Sequence, residues 1–350
     1  MNQTKKKAPL IAAAVVAVLL LLMLYAGIAG RQPVRVDSGY RVVMGTFSRV
    51  VVVAPSEKAG RACLREAFEV QRRIESRMSY HRSDSELNEV NRRAAEGPVP
   101  VSALTFDVLQ KAIYFSELSA GAFDVTVGPL VDLWRAAADA NAPPSDAELA
   151  AARSKIGYDK LILDEGQMTV EFAVAGMKLD LGGIAKGFAI DKTLETLRQG
   201  GALGGMVDIG GDIRCFGRPP EGQDYWRIGL QEPTKVSDDP VPGRALLVLQ
   251  LSDGAVTTSG DYRRFTEVGG QRQSHIMDVA TGRGAARLAS VTVIAPDATA
   301  ADALATAVSV LGVEKGLALI DTLSEVEAVL IPHEAGAELV FSQGAAAYVR

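Results

Sequence analysis

Residues 161 to 172 read Leu-Ile-Leu-Asp-Glu-Gly-Gln-Met-Thr-Val-Glu-Phe, with the apolar runs Leu161 to Leu163 and Met168 to Phe172 flanking Asp164, Glu165 and Gly166. A turn triplet between two such runs predicts a β-hairpin. Helical patterns surround it. Upstream, the alanine-rich stretch Asp132 to Ser154 predicts helix around Pro143 and Pro144, and Thr105 to Leu118 predicts another that ends at Gly121. Ser56 is placed as the N-cap of a helix over Glu57 to Met78, with Leu64, Phe68, Ile74 and Met78 on one face and Arg72, Arg73 and Arg77 toward solvent. The valine-rich stretch Tyr40 to Ala54 predicts a strand pair or one bent strand.

Downstream of the hairpin, a strand is expected to end at Asp180, and a helix over Ile184 to Arg198 to close on Gly200 and Gly201. Strands follow at Met206 to Phe216, Trp226 to Leu230, Ala245 to Leu251 and Val291 to Ala295. A helix from Ala300 to Leu311 and a final helix with strands complete the chain. Because strands and helices do not alternate regularly, the expected fold class is α+β, with mixed or antiparallel sheets and packed helices, and not a doubly wound parallel sheet. The expected organisation is an N-terminal segment over residues 1–30, a linker over 31–39 and one domain over 40–350.

With 350 residues, 48% hydrophobic and 23% charged, the chain has material for a sizeable core. Lys5, Lys6 and Lys7 precede an uncharged stretch from Ala8 to Gly30 that holds an unbroken apolar run from Ile11 to Leu24. Such a segment reads as a signal peptide or a membrane anchor. Its length reaches across a bilayer, while Gly27 and Ala29 offer a cleavage site, so both forms stay open. The lysines before the run place the rest of the chain on the non-cytoplasmic side, which predicts an exported protein on the periplasmic face of the inner membrane. The only cysteines are Cys63 and Cys215, so a lipoprotein anchor after the run is excluded. Without the first thirty residues 34 basic residues face 42 acidic ones, a net charge of −8, and nucleic acid is not an expected partner.

Lys178-Leu179-Asp180-Leu181-Gly182-Gly183-Ile184-Ala185-Lys186-Gly187 is the strongest local motif. A carboxylate leaves a strand, two glycines admit close backbone approach, and a lysine sits on the first turn of a helix whose N-terminus favours anions. Phosphate binding fits that arrangement; Asp180 as a simple helix cap is the competing reading. In Ala298 to Thr306, Asp302 and Thr306 are four apart and share a helix face, offering hard oxygens of the kind magnesium takes. A capping box from Thr299 to Asp302 competes with that reading. A third cluster, Thr257-Thr258-Ser259-Gly260-Asp261-Tyr262 with Ser274-His275-Ile276-Met277-Asp278, sets His275 three residues before a carboxylate able to orient it as a proton carrier. His81 and His333 have no such neighbour in sequence. Nearer the front, Met44, Tyr80 and Phe123 are candidates to bracket an aromatic ring, with Asp124 and Asn88 reading its polar edges.

In this order the motifs MGTF, SDSELNEVN, GAFDVTVGPL, KLDLGGIAKGFAID, TTSGDYRRF with SHIMDVATG, and ADALATAVSVLG resemble the FAD:protein FMN transferases, the ApbE-type flavin transferases, over Met44 to Gly312. The resemblance implies an ApbE-like architecture and an enzyme that takes FAD as substrate and uses a magnesium ion (Mg2+). It would pass FMN to a threonine hydroxyl of a redox-complex subunit and release AMP. Residue by residue it implies flavin-nucleotide contacts at Met44, Tyr80, Ala122, Phe123, Asp124, Asp180, Lys186 and Ile276, to which the residue reading adds Asn88. The resemblance implies a metal site from the Gly183 and Ala305 carbonyls, Asp302 and Thr306, and catalysis by His275; Asp278 and Asp180 are added as catalytic candidates from their place in the motifs. Many members carry alanine or threonine where this chain has Gly183, but a carbonyl ligand needs no side chain. An FAD pyrophosphatase, or a protein that binds FAD without cleaving it, would present the same residues.

Overall fold

The computed structural model describes residues 16–18, 32–217, 219, 222–231, 245–260, 265–333 and 338–350. Most of the expected N-terminal segment, with Gly27 and Ala29, lies outside the described residues, as do Asp261 and Tyr262 of the third cluster.

The chain opens with β1 (Val34–Val43) and β2 (Thr46–Ala54), a hairpin turned at Met44 and Gly45. Pairing therefore starts at Val34, inside the stretch expected as linker. Next come α1 (Glu57–Met78), α2 (Glu86–Arg93), β3 (Val99–Pro100) and α3 (Ala103–Leu118). Ser56 caps α1 by accepting from the Ala59 amide, and Leu64, Phe68, Ile74 and Met78 are buried on one face. Instead of one alanine-rich helix there are two, α4 (Gly128–Ala140) and α5 (Asp146–Arg153). Pro143 and Pro144 lack the amide protons a continuous helix needs, so the chain stops at Asn141 and restarts in a capping box between Ser145 and Glu148.

Residues 161–172 form the hairpin β4 (Leu161–Asp164) and β5 (Thr169–Phe172), and β3 pairs with β5. The strand expected to end at Asp180 is absent: the approach to Asp180 makes a single parallel bridge, Val127 to Lys178. After α6 (Ala185–Gln199) come β6 (Gly204–Ile209), β7 (Asp212–Phe216), β8 (Trp226–Gln231), β9 (Ala245–Leu251) and β10 (Gly254–Gly260). Short pairs follow, β11 (Phe265–Val268) with β12 (Gln271–Ser274) and β13 (Met277–Asp278) with β14 (Arg283–Gly284). The chain ends with β15 (Leu288–Ala295), α7 (Ala298–Ile320), β16 (Glu327–Pro332), β17 (Val340–Phe341) and a 3-10 turn.

One antiparallel sheet in the order β1-β2-β6-β7-β10-β15-β16-β17 organises the molecule. Its two faces are covered differently. Helices α1, α6 and α7 pack on one side with Val50 and Val52, while Val51 of the same strand joins Trp226, Ile228, Leu249 and Leu251 of the β8–β9 ribbon on the other. Burial on both faces accounts for an unbroken valine run where a half-exposed strand would alternate. A third cluster gathers Leu130 and Trp134 of α4, Leu149 of α5 and Val268 of β11. The architecture is α+β with antiparallel sheets and packed helices. Among the described residues α7 alone is long and apolar enough to span a bilayer, and it is a core helix, packed on β10, β15 and α6. Cys63 and Cys215 are free thiols buried in different clusters.

Candidate active site

Two helix starts build the floor of the site. The first turn of α6 carries Lys186 and Gly187, and the second and third turns of α7 carry Asp302 and Thr306. Gly187 has no side chain because none fits: a Cβ there would lie 2.1 Å from the Ala298 carbonyl oxygen. At that spacing the Gly187 amide reaches Asp302 Oδ2 at 3.0 Å. The Asp302 carboxylate is thus spoken for by the neighbouring helix and does not cap its own. Asp297 is the N-cap of α7, accepting from the Ala300 amide, and the amides of Ala298 and Thr299 go to the Asp191 carboxylate. The capping box expected as the competing reading is not formed. Asp180 likewise caps no helix: its Oδ1 accepts from the Gly182 amide at 2.8 Å, and the cap position of α6 is Ile184.

Lys186 points between two carboxylates. Its Nζ donates to Asp302 Oδ1 at 3.5 Å and forms a closer bond with Asp212 Oδ2. Burial alone would lower the lysine, but Asp212 and Asp302 outweigh it and hold the ammonium above its ordinary range. Asp302 is moved up, first by burial and then by Asp212, against the pull of Lys186. Asp212 follows a turn of two glycines at the start of β7, and its Oδ1 accepts from the Thr258 amide of β10 at 3.0 Å.

The strand-like approach to Asp180 is held by clamps in place of a sheet. Asn91 brackets Leu179, accepting its amide at 2.7 Å and donating to its carbonyl at 3.0 Å, and the Asp180 amide donates to the Val125 carbonyl. Burial pushes the Asp180 carboxyl up, opposed by the Gly182 amide, His81 and Arg135.

These residues open onto a cavity of about 570 Å³. Ala122, Phe123, Asp124, Asp180, Gly183, Lys186, His275, Ile276, Asp302 and Thr306 all line it, so candidates spread over 184 positions of sequence are brought together. Gly183 faces Thr306 and Phe123: an added Cβ would stand 3.0 Å from Thr306 Oγ1 and 3.2 Å from the Phe123 ring. Asp124 is enclosed, its carboxyl raised by burial against three donors, the Thr126 amide and hydroxyl and the Tyr158 amide.

Five candidates stand outside the lining. Met44 occupies the β1–β2 turn, while Thr46 two residues on faces the cavity. Tyr80 donates its hydroxyl to Asp132 Oδ1 at 2.7 Å, and Asn88 holds the following loop by donating to the Tyr80 and Arg82 carbonyls. The Ala305 carbonyl accepts from the Ser309 hydroxyl at 2.7 Å. Asp278 accepts from the Ala280 amide at 2.9 Å, inside its own turn.

Arg135, His81 and Trp134 line the cavity too, though none of them was a site candidate from sequence. Arg135 lies over the Tyr80 ring at 5.5 Å, and His81 shares the rim with Asp180, so this histidine has a carboxylate neighbour after all. Trp134 contributes from α4. Helical spacing from Asp132 was the one available signal for Arg135, whereas His81 meets Asp180 only through the fold.

The donor set suits a hard divalent cation. Among the described residues no cluster of three or more His, Cys, Asp or Glu side chains is arranged around a metal position. Asp302 and Thr306, both lining the cavity, offer a carboxylate and a hydroxyl, and the Lys186 ammonium stands 3.5 Å from Asp302 Oδ1. A site of this kind leaves coordination positions to water and phosphate, as magnesium requires.

Residues 44–330 match the family model described as the ApbE family. An FAD:protein FMN transferase of Treponema pallidum (strain Nichols) is 37% identical over 316 residues, 86% of each chain. One from Vibrio cholerae is 37% identical over 252 residues, 71% of this chain and 73% of that protein. Among solved structures, the ApbE protein of Thermotoga maritima superposes with a TM-score of 0.78 at 32% identity, covering 91% of this chain and all of that one. The flavin transferase ApbE of Vibrio cholerae gives 0.76 at 31% identity, with 90% and 99% covered.

Proposed function

The chain belongs to the ApbE family of FAD:protein FMN transferases, and on that premise we propose that it cleaves FAD with the help of a magnesium ion, attaches FMN to a threonine of a redox-complex subunit and releases AMP. The observation that carries this reading is the single cavity into which Lys186, Asp302, Thr306, Asp180 and His275 all open.

In the proposed reaction the threonine Oγ attacks the FMN-side phosphorus. The bond to the bridging oxygen breaks, its electron pair leaves with AMP, and the hydroxyl proton passes to a base of the protein. Asp302 and Thr306, with the Gly183 carbonyl and, once the Ser309 hydroxyl turns away from it, the Ala305 carbonyl, would hold the cation, which when bound offsets the charge growing on the phosphate oxygens. Lys186 gives a fixed positive charge at the same wall. Phe123 and Ile276, both buried, offer apolar surface to a flavin or adenine ring. His275, exposed and lining the cavity, would take the proton from the incoming hydroxyl, and the Asp180 carboxylate would be a second base.

Protein incubated with FAD, Mg2+ and a threonine-bearing acceptor subunit should yield AMP and an acceptor heavier by one FMN. Free FMN formed at the same rate without acceptor would replace transfer by FAD pyrophosphatase activity, and FAD recovered intact would leave only binding. Full activity in Asp302→Ala would remove the metal site from the reading.

The lysines and apolar run at the N-terminus support export, with the domain held at or released from the periplasmic side of the inner membrane. A reporter active only outside the cytoplasm, fused after Arg31, should be active; an inactive fusion would overturn export.

A further inference from the structure

Asp212 has no part in the proposed chemistry, yet its side chain is nearly closed to solvent and directed at Lys186. Its two oxygens have different tasks. Oδ1 accepts from the Thr258 amide and so is fixed by the β7–β10 register, while Oδ2 meets the lysine ammonium. Across the ammonium stands Asp302, whose Oδ2 is taken by the Gly187 amide and whose Oδ1 is at 3.5 Å from Nζ, beyond a good charged hydrogen bond. The ammonium therefore sits closer to Asp212 than to Asp302. One lysine and two carboxylates leave this buried cluster with one uncompensated negative charge, located by this asymmetry at Asp302 Oδ1.

We propose that Asp212 is a positioning residue that acts through Lys186: it retains the ammonium so that Asp302 Oδ1 stays open to a divalent cation. This role rests on the reading of Asp302 as the cation ligand. If Asp212 loses its charge, the ammonium has one carboxylate left, and that carboxylate is the cation's. The lysine then becomes an internal competitor. A second substitution that removes the competitor should restore cation uptake, whereas a purely structural role for Asp212, tying β10 through Thr258, gives no such restoration.

Two measurements test this. In a crystal structure of Asp212→Asn grown without divalent ions, Lys186 Nζ should move onto Asp302 Oδ1; an ammonium that keeps its wild-type place overturns the proposal. In titration calorimetry with Mn2+ alone, Asp212→Asn should weaken binding ~10-fold, the order expected for one partly buried charge pair. Asp212→Asn/Lys186→Met should recover most of that loss. A double variant as weak as Asp212→Asn, with melting temperatures unchanged, overturns the proposal as well. Wild-type protein that takes up no Mn2+ would instead count against Asp302 as cation ligand, and the crystallographic shift would still decide the hold of Asp212 on Lys186.

Discussion

Trp134 donates its indole N–H to the carbonyl of Gly282, 148 positions later, at 2.8 Å. The bond ties α4 to the turn after β13, and that turn follows directly on the segment bearing His275 and Ile276. Two further bonds run the same way, from the Arg153 guanidinium to the Val279 carbonyl and from the Gly269 amide to the Asn141 side chain. The histidine stands at the exposed edge of the cavity, but the strands around it are fastened to a helical cluster. Trp134→Phe keeps the ring packing, removes the donor and orphans a buried carbonyl. The expected loss is about 1–3 kcal/mol of stability, read by urea unfolding, together with faster amide exchange over residues 274–284. Exchange unchanged in that segment would mean that the bond does not hold the histidine in place.

Gly187→Ala forces a methyl group onto the Ala298 carbonyl. Backbone on both sides leaves no flexible group to give way, so the helix starts must separate. A destabilisation of roughly 3 kcal/mol or more is expected, with loss of nucleotide binding in the fraction that stays folded. Chemical denaturation and FAD titration check it.

Asp191 accepts from Arg214 at 2.6 Å and from the amides of Ala298 and Thr299, and all of these groups are largely buried. Asp191→Ala leaves the arginine charge without a partner and two amides without acceptors, at an expected cost of about 3–5 kcal/mol. The double variant Asp191→Ala/Arg214→Met should recover part of this loss; equal instability of the two would show that the amides, and not the arginine, need the carboxylate.

Glu86 gathers the Ser102 amide and hydroxyl, the Thr105 hydroxyl and Arg77, joining α1, α2 and α3. Burial opposes the charge, but these donors together hold its carboxyl below the ordinary value of 4.5. A depressed folded value means a contribution that is whole above about pH 4.5 and lost as pH falls through the folded value. The stability gap between wild type and Glu86→Gln should therefore be constant near neutrality and shrink in acid, as seen in unfolding curves at stepped pH. A gap that widens in acid would contradict the arrangement.

Much of the fold was legible because it is local. Ser56 stops and starts the backbone by itself, so α1 was placed to the residue, and the Asp164 to Gly166 turn announced its hairpin. Local patterns were also what misled. An apolar run before Asp180 has strand composition, yet Asn91 takes the Leu179 amide and carbonyl that a sheet neighbour would have taken. Thr299 and Asp302 have the spacing of a cap, but Asp191 and the Gly187 amide, both far away in sequence, claim the groups that a cap would use. The motif residues were found as separate pieces. Asp212 and His81 carry no motif, and their partners, Lys186 and Asp180, are neighbours only once the chain has folded. Asp278 shows the converse, since three positions from His275 in sequence it turns to the Ala280 amide.

The Lys186 and Asp302 that face one another are 116 positions apart, and Asp212 lies between them in the chain. During synthesis the lysine and its nearer partner Asp212, 26 positions on, therefore emerge well before the second carboxylate of the cluster. Closing the charge cluster requires α7 to settle against α6, an event of the last part of the chain. A polypeptide truncated before α7 lacks Asp302 and Thr306, so the cavity wall that they form is completed only by the last part of the chain.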